Sequence, residues 1–265
     1  MGSSRSRAGN RAERRGSKRR NNDNLLAVVK EEQLRELVKP TRTILKPLTD
    51  NQRLYDQSIR SNIITFGTGP AGTGKTFYAV TLAAQELKED RIEKLIVTRP
   101  MVEAGESMGF LPGELDEKFE PYLRPVRDAL EECLGSGHLE YLLKSGVIEA
   151  RPLAFLRGAS LKNAFVIFDE AQNSTPVQMK MFLTRVGQHC KVVINGDMKQ
   201  KDIDGSSGLA DAVRRFANKH QFGHVHFTTD DIVRSGVCKT IVLAYEDDDA
   251  APSEAFDGLK RILSV

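Results

Sequence analysis

Short apolar runs alternate with amphipathic stretches over most of the chain, and the two periods lay out its elements. Runs such as Phe165-Val166-Ile167-Phe168 and Val192-Val193-Ile194 carry no polar alternate, the pattern of strands buried on both faces. Such strands are predicted at 62–68, 94–98, 147–151, 164–168, 191–195 and 223–227. Between them apolar residues recur at helical spacing, as in Phe77, Val80, Leu82, Ala83 and Leu87. Helices are predicted at 75–88, 121–134, 138–144, 176–186, 208–219 and 231–245. Strand–helix alternation predicts a single α/β domain over 49–245, with a mostly parallel sheet and helices on both faces. Ahead of it, 25–48 reads as a short helix, Leu25 to Val38, and a linker bracketed by Pro40 and Pro47. Beyond it, 246–265 reads as an acidic tail with a short amphipathic segment from Phe256 to Leu263.

The junction between the first strand and its helix carries the strongest chemistry. Gly69-Pro70-Ala71-Gly72-Thr73-Gly74-Lys75-Thr76 is a complete G-x-x-x-x-G-K-[ST] loop, placed after a strand and opening a helix. Glycines let successive backbone N–H groups converge on phosphates, and the positive end of the helix favours their charge. Lys75 is then expected to reach the outer phosphates of a nucleoside triphosphate, and Thr76 to ligate Mg²⁺.

Two later strands deliver acids to the same place. Phe165-Val166-Ile167-Phe168-Asp169-Glu170 ends four apolar residues in two carboxylates. In an open α/β sheet that end lies where ligands bind, so Asp169 is expected to hold Mg²⁺ opposite Thr76. Glu170 is then placed to orient and deprotonate water, which favours hydrolysis over transfer to another acceptor. Lys191-Val192-Val193-Ile194-Asn195-Gly196-Asp197 repeats the device, and Asp197 with Gln200 is expected to sense the terminal phosphate.

Composition narrows the class. The chain has 265 residues, 40% hydrophobic, and no apolar run near the ~20 residues a membrane helix needs. Cys133, Cys190 and Cys238 are isolated, which excludes a disulfide framework and fits a reducing cytoplasm. Residues 1–20 hold eight Lys or Arg against Glu13, a charge of +7 within a total of +3, leaving −4 for the rest. Segment 1–24 therefore reads as a disordered basic tail suited to neutralising phosphates. Met1-Gly2-Ser3-Ser4-Arg5-Ser6 fits only the loose N-myristoylation pattern, and the Arg- and Ser-rich leader lacks the apolar face of a transit peptide.

Several stretches carry a family resemblance. Glu170-Ala171-Gln172 and Gly196-Asp197-Met198-Lys199-Gln200 resemble the D-E-A-Q and G-D-x-x-Q motifs of superfamily 1 helicases. More specific are Thr98-Arg99-Pro100, Gly105-Glu106-Ser107-Met108-Gly109-Phe110-Leu111-Pro112-Gly113 and Pro121-Tyr122-Leu123-Arg124-Pro125. With Gly67-Thr68 and the phosphate loop they resemble the PhoH-like family of bacteria and bacteriophages, from about Thr49 to Tyr245.

The resemblance implies a single RecA-like P-loop NTPase domain that binds ATP and Mg²⁺, with a proposed RNA helicase role. It implies that Gln52 reads adenine and that Arg234 is the arginine finger on the γ-phosphate. Arg157-Gly158 matches an R-G element, although Ala159-Ser160 follow where the family has Arg-Thr, and the stretch Asp202 to Ser206 is shortened. Superfamily 1 helicases place ATP between two lobes, and 49–245 has room for one. The expectation is therefore a homo-oligomeric ring such as a hexamer, in which a neighbour donates an arginine worth about 10³–10⁵ in rate. Arg234 is the first candidate, with Arg157 or Arg124 behind it. Single-stranded RNA or DNA is the expected partner and the bacterial or infected-host cytoplasm the expected compartment.

Other constellations carry less. His220, His224 and His226 lie across a helix end and a strand, with no Cys or acid at ligand spacing. Met179 and Met181 read as core packing on a helix. Arg99 and Arg124 read equally as a nucleic-acid path, an oligomer contact or solvated surface. Two alternatives share the phosphate loop: an ATP-gated binding or regulatory module without unwinding, and a P-loop kinase, for which no Arg-rich lid is visible.

Overall fold

The computed structural model describes residues 45–101 and 115–250, with backbone alone for 115–123 and 246–250. The helix expected at 25–38, the G-F-L-P-G element, the basic tail and the segment 256–263 lie outside the described residues. Among the described residues six strands form one sheet: β1 (Ile64–Thr68), β2 (Lys94–Arg99), β3 (Ile148–Pro152), β4 (Ala164–Phe168), β5 (Lys191–Gly196) and β6 (Phe222–His226). Their order is β3-β2-β4-β5-β1-β6 and every pairing is parallel, with β1 in register from Ile64 opposite Val192 to Thr68 opposite Gly196. One strand, β5, separates the phosphate-loop strand from the acidic one.

The apolar runs explain the layering. Successive side chains of a strand point to opposite faces. Phe165 and Ile167 enter one core with Tyr55, Ile59, Leu82 and Leu130, while Val166 and Phe168 enter the other with Met179, Phe182 and Leu209. The first core is covered by α1 (Asp50–Ser61), α2 (Lys75–Lys88), α3 (Leu115–Leu134) and α4 (Ser136–Lys144), the second by α5 (Pro176–Leu183) and α6 (Gly208–Phe216). A last helix, α7 (Gly236–Ala250), leaves Val237, Ile241 and Tyr245 exposed at four-residue intervals. Among the described residues no helix is long and apolar enough to cross a membrane.

Most strand and helix limits fall within three residues of those predicted, but three elements differ. Helix α1 has no counterpart in the sequence reading, because its 12 residues bury only Gln52, Tyr55 and Ile59. Its start was nevertheless marked: the Thr49 hydroxyl accepts from Gln52 N–H at 3.2 Å, a Thr-x-x-Gln signal. Helix α3 begins at Leu115, six residues before the predicted start at Pro121. The helix expected at 231–245 is displaced to 236–250, through the acidic run, because Thr229–Asp231 closes a short 3₁₀ turn of its own. In that turn the Asp231 carboxylate accepts from Thr228 N–H at 2.9 Å and from Asn51 Nδ2 at 2.7 Å. The chain leaves it extended at Ile232, so Arg234 sits in a connector instead of on a helix.

Candidate nucleotide site

The carboxyl ends of β1, β4 and β5 bring the loop and both acidic termini to one edge. Gly69 needs its glycine: φ is 134°, and a Cβ there would stand 2.2 Å from the Phe227 carbonyl oxygen. Gly74 caps α2 in the left-handed region at φ 80°, where a Cβ would meet Gln52 Nε2 at 2.9 Å. The turn between them is closed by Thr73 Oγ1 donating to the Pro70 carbonyl at 3.1 Å. Ala71 lies within the same turn, and Gly72 has φ 83°.

Lys75 is buried and folded back on the loop. Its ammonium donates to the Gly69 carbonyl at 2.6 Å, the Pro70 carbonyl at 2.8 Å and Thr73 Oγ1 at 3.1 Å. Burial pushes its pKa down, and the charges of Asp197, Asp169 and Glu170 oppose that shift. The next residue reaches the acid strand: Thr76 Oγ1 donates to Asp169 Oδ1 at 2.6 Å. Asp169 is pushed up by burial and by the Glu170 charge, while Arg99 and the Thr76 hydroxyl pull it back. Two oxygens facing each other at the end of a glycine cradle are the hard donors that Mg²⁺ prefers, so the residues present fit that ion.

Glu170 lies beside this pair in the left-handed region, φ 51°. Arg99 donates to its Oε1 at 2.7 Å and Gln172 Nε2 to its Oε2 at 2.6 Å. Gln172 is itself buried, and its carbonyl accepts from Asp197 N–H at 3.1 Å. Asp197 is buried at the end of β5, and its carboxylate accepts from Lys199 N–H at 3.0 Å. Gln200, three residues on, is exposed.

Gln52 is brought to the loop, but its amide is engaged with backbone at both ends. Nε2 donates to the Thr73 carbonyl at 3.0 Å and Oε1 accepts from Leu48 N–H at 2.8 Å. Arg234 also stands at its own loop. Val233 N–H donates to the Gly72 carbonyl at 3.1 Å, and a Cβ on Gly72 would lie 3.6 Å from Arg234 Cβ. Arg157 is exposed beyond β3, a strand that lies four sheet positions from β1, about 19 Å at ordinary strand spacing. Arg124 is exposed on α3.

Two participants, Tyr55 and Thr68, were given no role from sequence. Tyr55 of α1 is fully buried, and its hydroxyl donates to Asn195 Oδ1 under the loop; burial raises its pKa well above the usual tyrosine range. Thr68, the last residue before the loop, has its hydroxyl 2.8 Å from His224 Nε2 and 3.0 Å from His226 Nδ1. A hydroxyl carries one proton, so at least one imidazole donates to Thr68. Burial, then the proximity of His226, lowers the His224 pKa. These histidines read as metal ligands or nothing until β6 is known to lie beside β1.

A parallel sheet that delivers a glycine loop and an acidic strand end to one edge is the arrangement of the P-loop NTPase class. Residues 44–246 match the family model described as PhoH-like protein, and the chain belongs to that family. It is 49% identical over 200 residues to a PhoH-like protein of Bacillus subtilis, covering 75% of this chain and 63% of that one. It is 45% identical over 195 residues to Protein PhoH of Escherichia coli K12, covering 72% and 55%. The chain thus spans about three fifths of the length of the relatives it matches. Among solved structures, the UvsW helicase of bacteriophage T4 overlays with a TM-score of 0.44 at 12% identity, over 72% of this chain and 63% of that one.

Proposed function

We propose that the chain is a Mg²⁺-dependent ATPase that acts on single-stranded RNA or DNA as a helicase or translocase. The observation that carries this is the 2.6 Å bond from Thr76 to Asp169, which joins the end of the phosphate loop to the acidic strand. Loop amides from Gly72 to Lys75, at the positive end of α2, hold the phosphates. Lys75 exchanges its carbonyl partners for phosphate oxygens. Thr76 and Asp169 hold Mg²⁺, which when bound neutralises charge on the transferring phosphoryl group. Glu170 orients and deprotonates the attacking water, and Asp197 with Gln200 senses the terminal phosphate. Gln52 reads adenine by giving up Thr73 and Leu48, so base recognition loosens the loop from α1. In a ring, Arg234 of a neighbouring copy is the first candidate for the cation on the γ-phosphate, with Arg157 or Arg124 behind it.

The test is ATP turnover by the purified chain, with and without single-stranded RNA and Mg²⁺. Magnesium-dependent hydrolysis stimulated by RNA is the expected result. Hydrolysis indifferent to RNA favours the gated binding module, and phosphate transfer to an added acceptor favours the kinase.

A further inference from the structure

Glu170 has side-chain donors on both carboxylate oxygens. Arg99 ends β2 and Glu170 follows β4, and these strands are neighbours, so the 2.7 Å ion pair bridges two strand ends. Gln172 holds the second oxygen and is tied in turn to Asp197 N–H. The left-handed backbone of Glu170 is a conformation that a non-glycine residue keeps only where its surroundings hold it. A carboxylate that activates water must turn an oxygen towards that water and take its proton. In this arrangement both oxygens accept from the protein.

Arg99 is the member able to change partner. Its guanidinium is also 3.6 Å from Asp169 Oδ2, and its side chain remains 19% exposed at the sheet edge. A guanidinium fork pairs with phosphate as readily as with carboxylate. A phosphodiester arriving at this edge therefore competes with Glu170 for it.

We infer that Arg99 is a latch on Glu170. It holds the carboxylate off the attacking water until a backbone phosphate of single-stranded nucleic acid takes the guanidinium, so hydrolysis accelerates only on a loaded strand. This rests on the proposed role of Glu170 as base. The experiment uses the full chain, ATP turnover with and without oligouridylate, and anisotropy of fluorescent oligouridylate without ATP. Arg99→Ala is expected to raise RNA-free turnover about fivefold, the factor by which a partly exposed ion pair shifts an equilibrium, and RNA then adds little. The same variant weakens oligouridylate binding and reduces its salt slope by about one ion. Arg99→Gln, closer in size, changes both readouts in the same direction and guards against a folding defect. In the double variant with Glu170→Gln the rise disappears.

A fall in RNA-free turnover with stimulation intact makes Arg99 a support of the base and overturns the latch. A rise that survives Glu170→Gln overturns it too. Wild-type protein that RNA stimulates, with Arg99→Ala stimulated equally from the same RNA-free rate, removes the latch alone. Wild-type protein that binds ATP without hydrolysing it under either condition removes the proposed function and the latch together.

Discussion

The phosphate loop and the acidic edge lie side by side and are held by different kinds of partner. The loop is held largely through main-chain atoms: Lys75 to the Gly69 and Pro70 carbonyls, Gln52 to the Thr73 carbonyl, Val233 N–H to the Gly72 carbonyl, Gly69 N–H to the Gly196 carbonyl. The acidic edge is held largely by side chains: Thr76 to Asp169, Arg99 and Gln172 to Glu170. Main-chain partners fix a shape, whereas side-chain ion pairs rearrange when a new charge arrives. Under the proposed function, the difference gives binding geometry to one region and the timing of chemistry to the other.

The largest expected effect separates those two roles. Glu170→Gln should lower turnover by about 10²-fold or more while leaving ATP affinity within a few-fold, since a general base contributes about 10²–10⁴. Lys75→Ala should instead weaken ATP binding itself by about 10–100-fold, as expected for a lost charged hydrogen bond. Calorimetric affinities beside steady-state rates read the two variants, and the same loss of affinity in both would erase the distinction. Next comes Gly69→Ala, which drives a Cβ into the Phe227 carbonyl and should destabilise the fold by about 3 kcal/mol in urea unfolding. Gln52→Ala, which strips a bonded amide from the buried loop, should lose about 1–3 kcal/mol by the same measurement.

The smallest effect concerns pH. Because burial holds the His224 pKa below 6.5, the fold favours the neutral ring. That contribution is fully present above pH 6.5 and is lost as pH falls through the depressed value. His224→Gln should flatten the acid side of the stability profile, seen in melting curves taken on either side of that pH. An unchanged profile would detach the histidines from the loop's support.

Legibility followed the same division. The loop was readable from spacing alone, because Gly69, Gly74, Lys75 and Thr76 act through consecutive backbone. The four inner strands were readable because their apolar runs are buried on both faces, and the edge strands β3 and β6 from their place in the strand–helix alternation. Helix α1 was missed because it buries a polar residue, Gln52, and its Thr49 signal precedes few apolar positions. The clamp on Glu170 depends on β2 lying beside β4, and the Thr68–histidine cluster on β6 lying beside β1. Neither adjacency is written in the spacing of a single chain. The position of Arg234 depended on where a helix starts, and the Thr228–Asp231 turn moved that start.

Strand β1 has its two neighbours in β5 and β6, with Ile64 opposite Val192 and Phe222. During synthesis the segment that carries the loop leaves the ribosome long before either flank exists. Contacts of such sequence separation form slowly and expose unsatisfied edges meanwhile. Nascent polypeptide released short of Phe222 therefore has a glycine turn whose strand lacks one of its two neighbours.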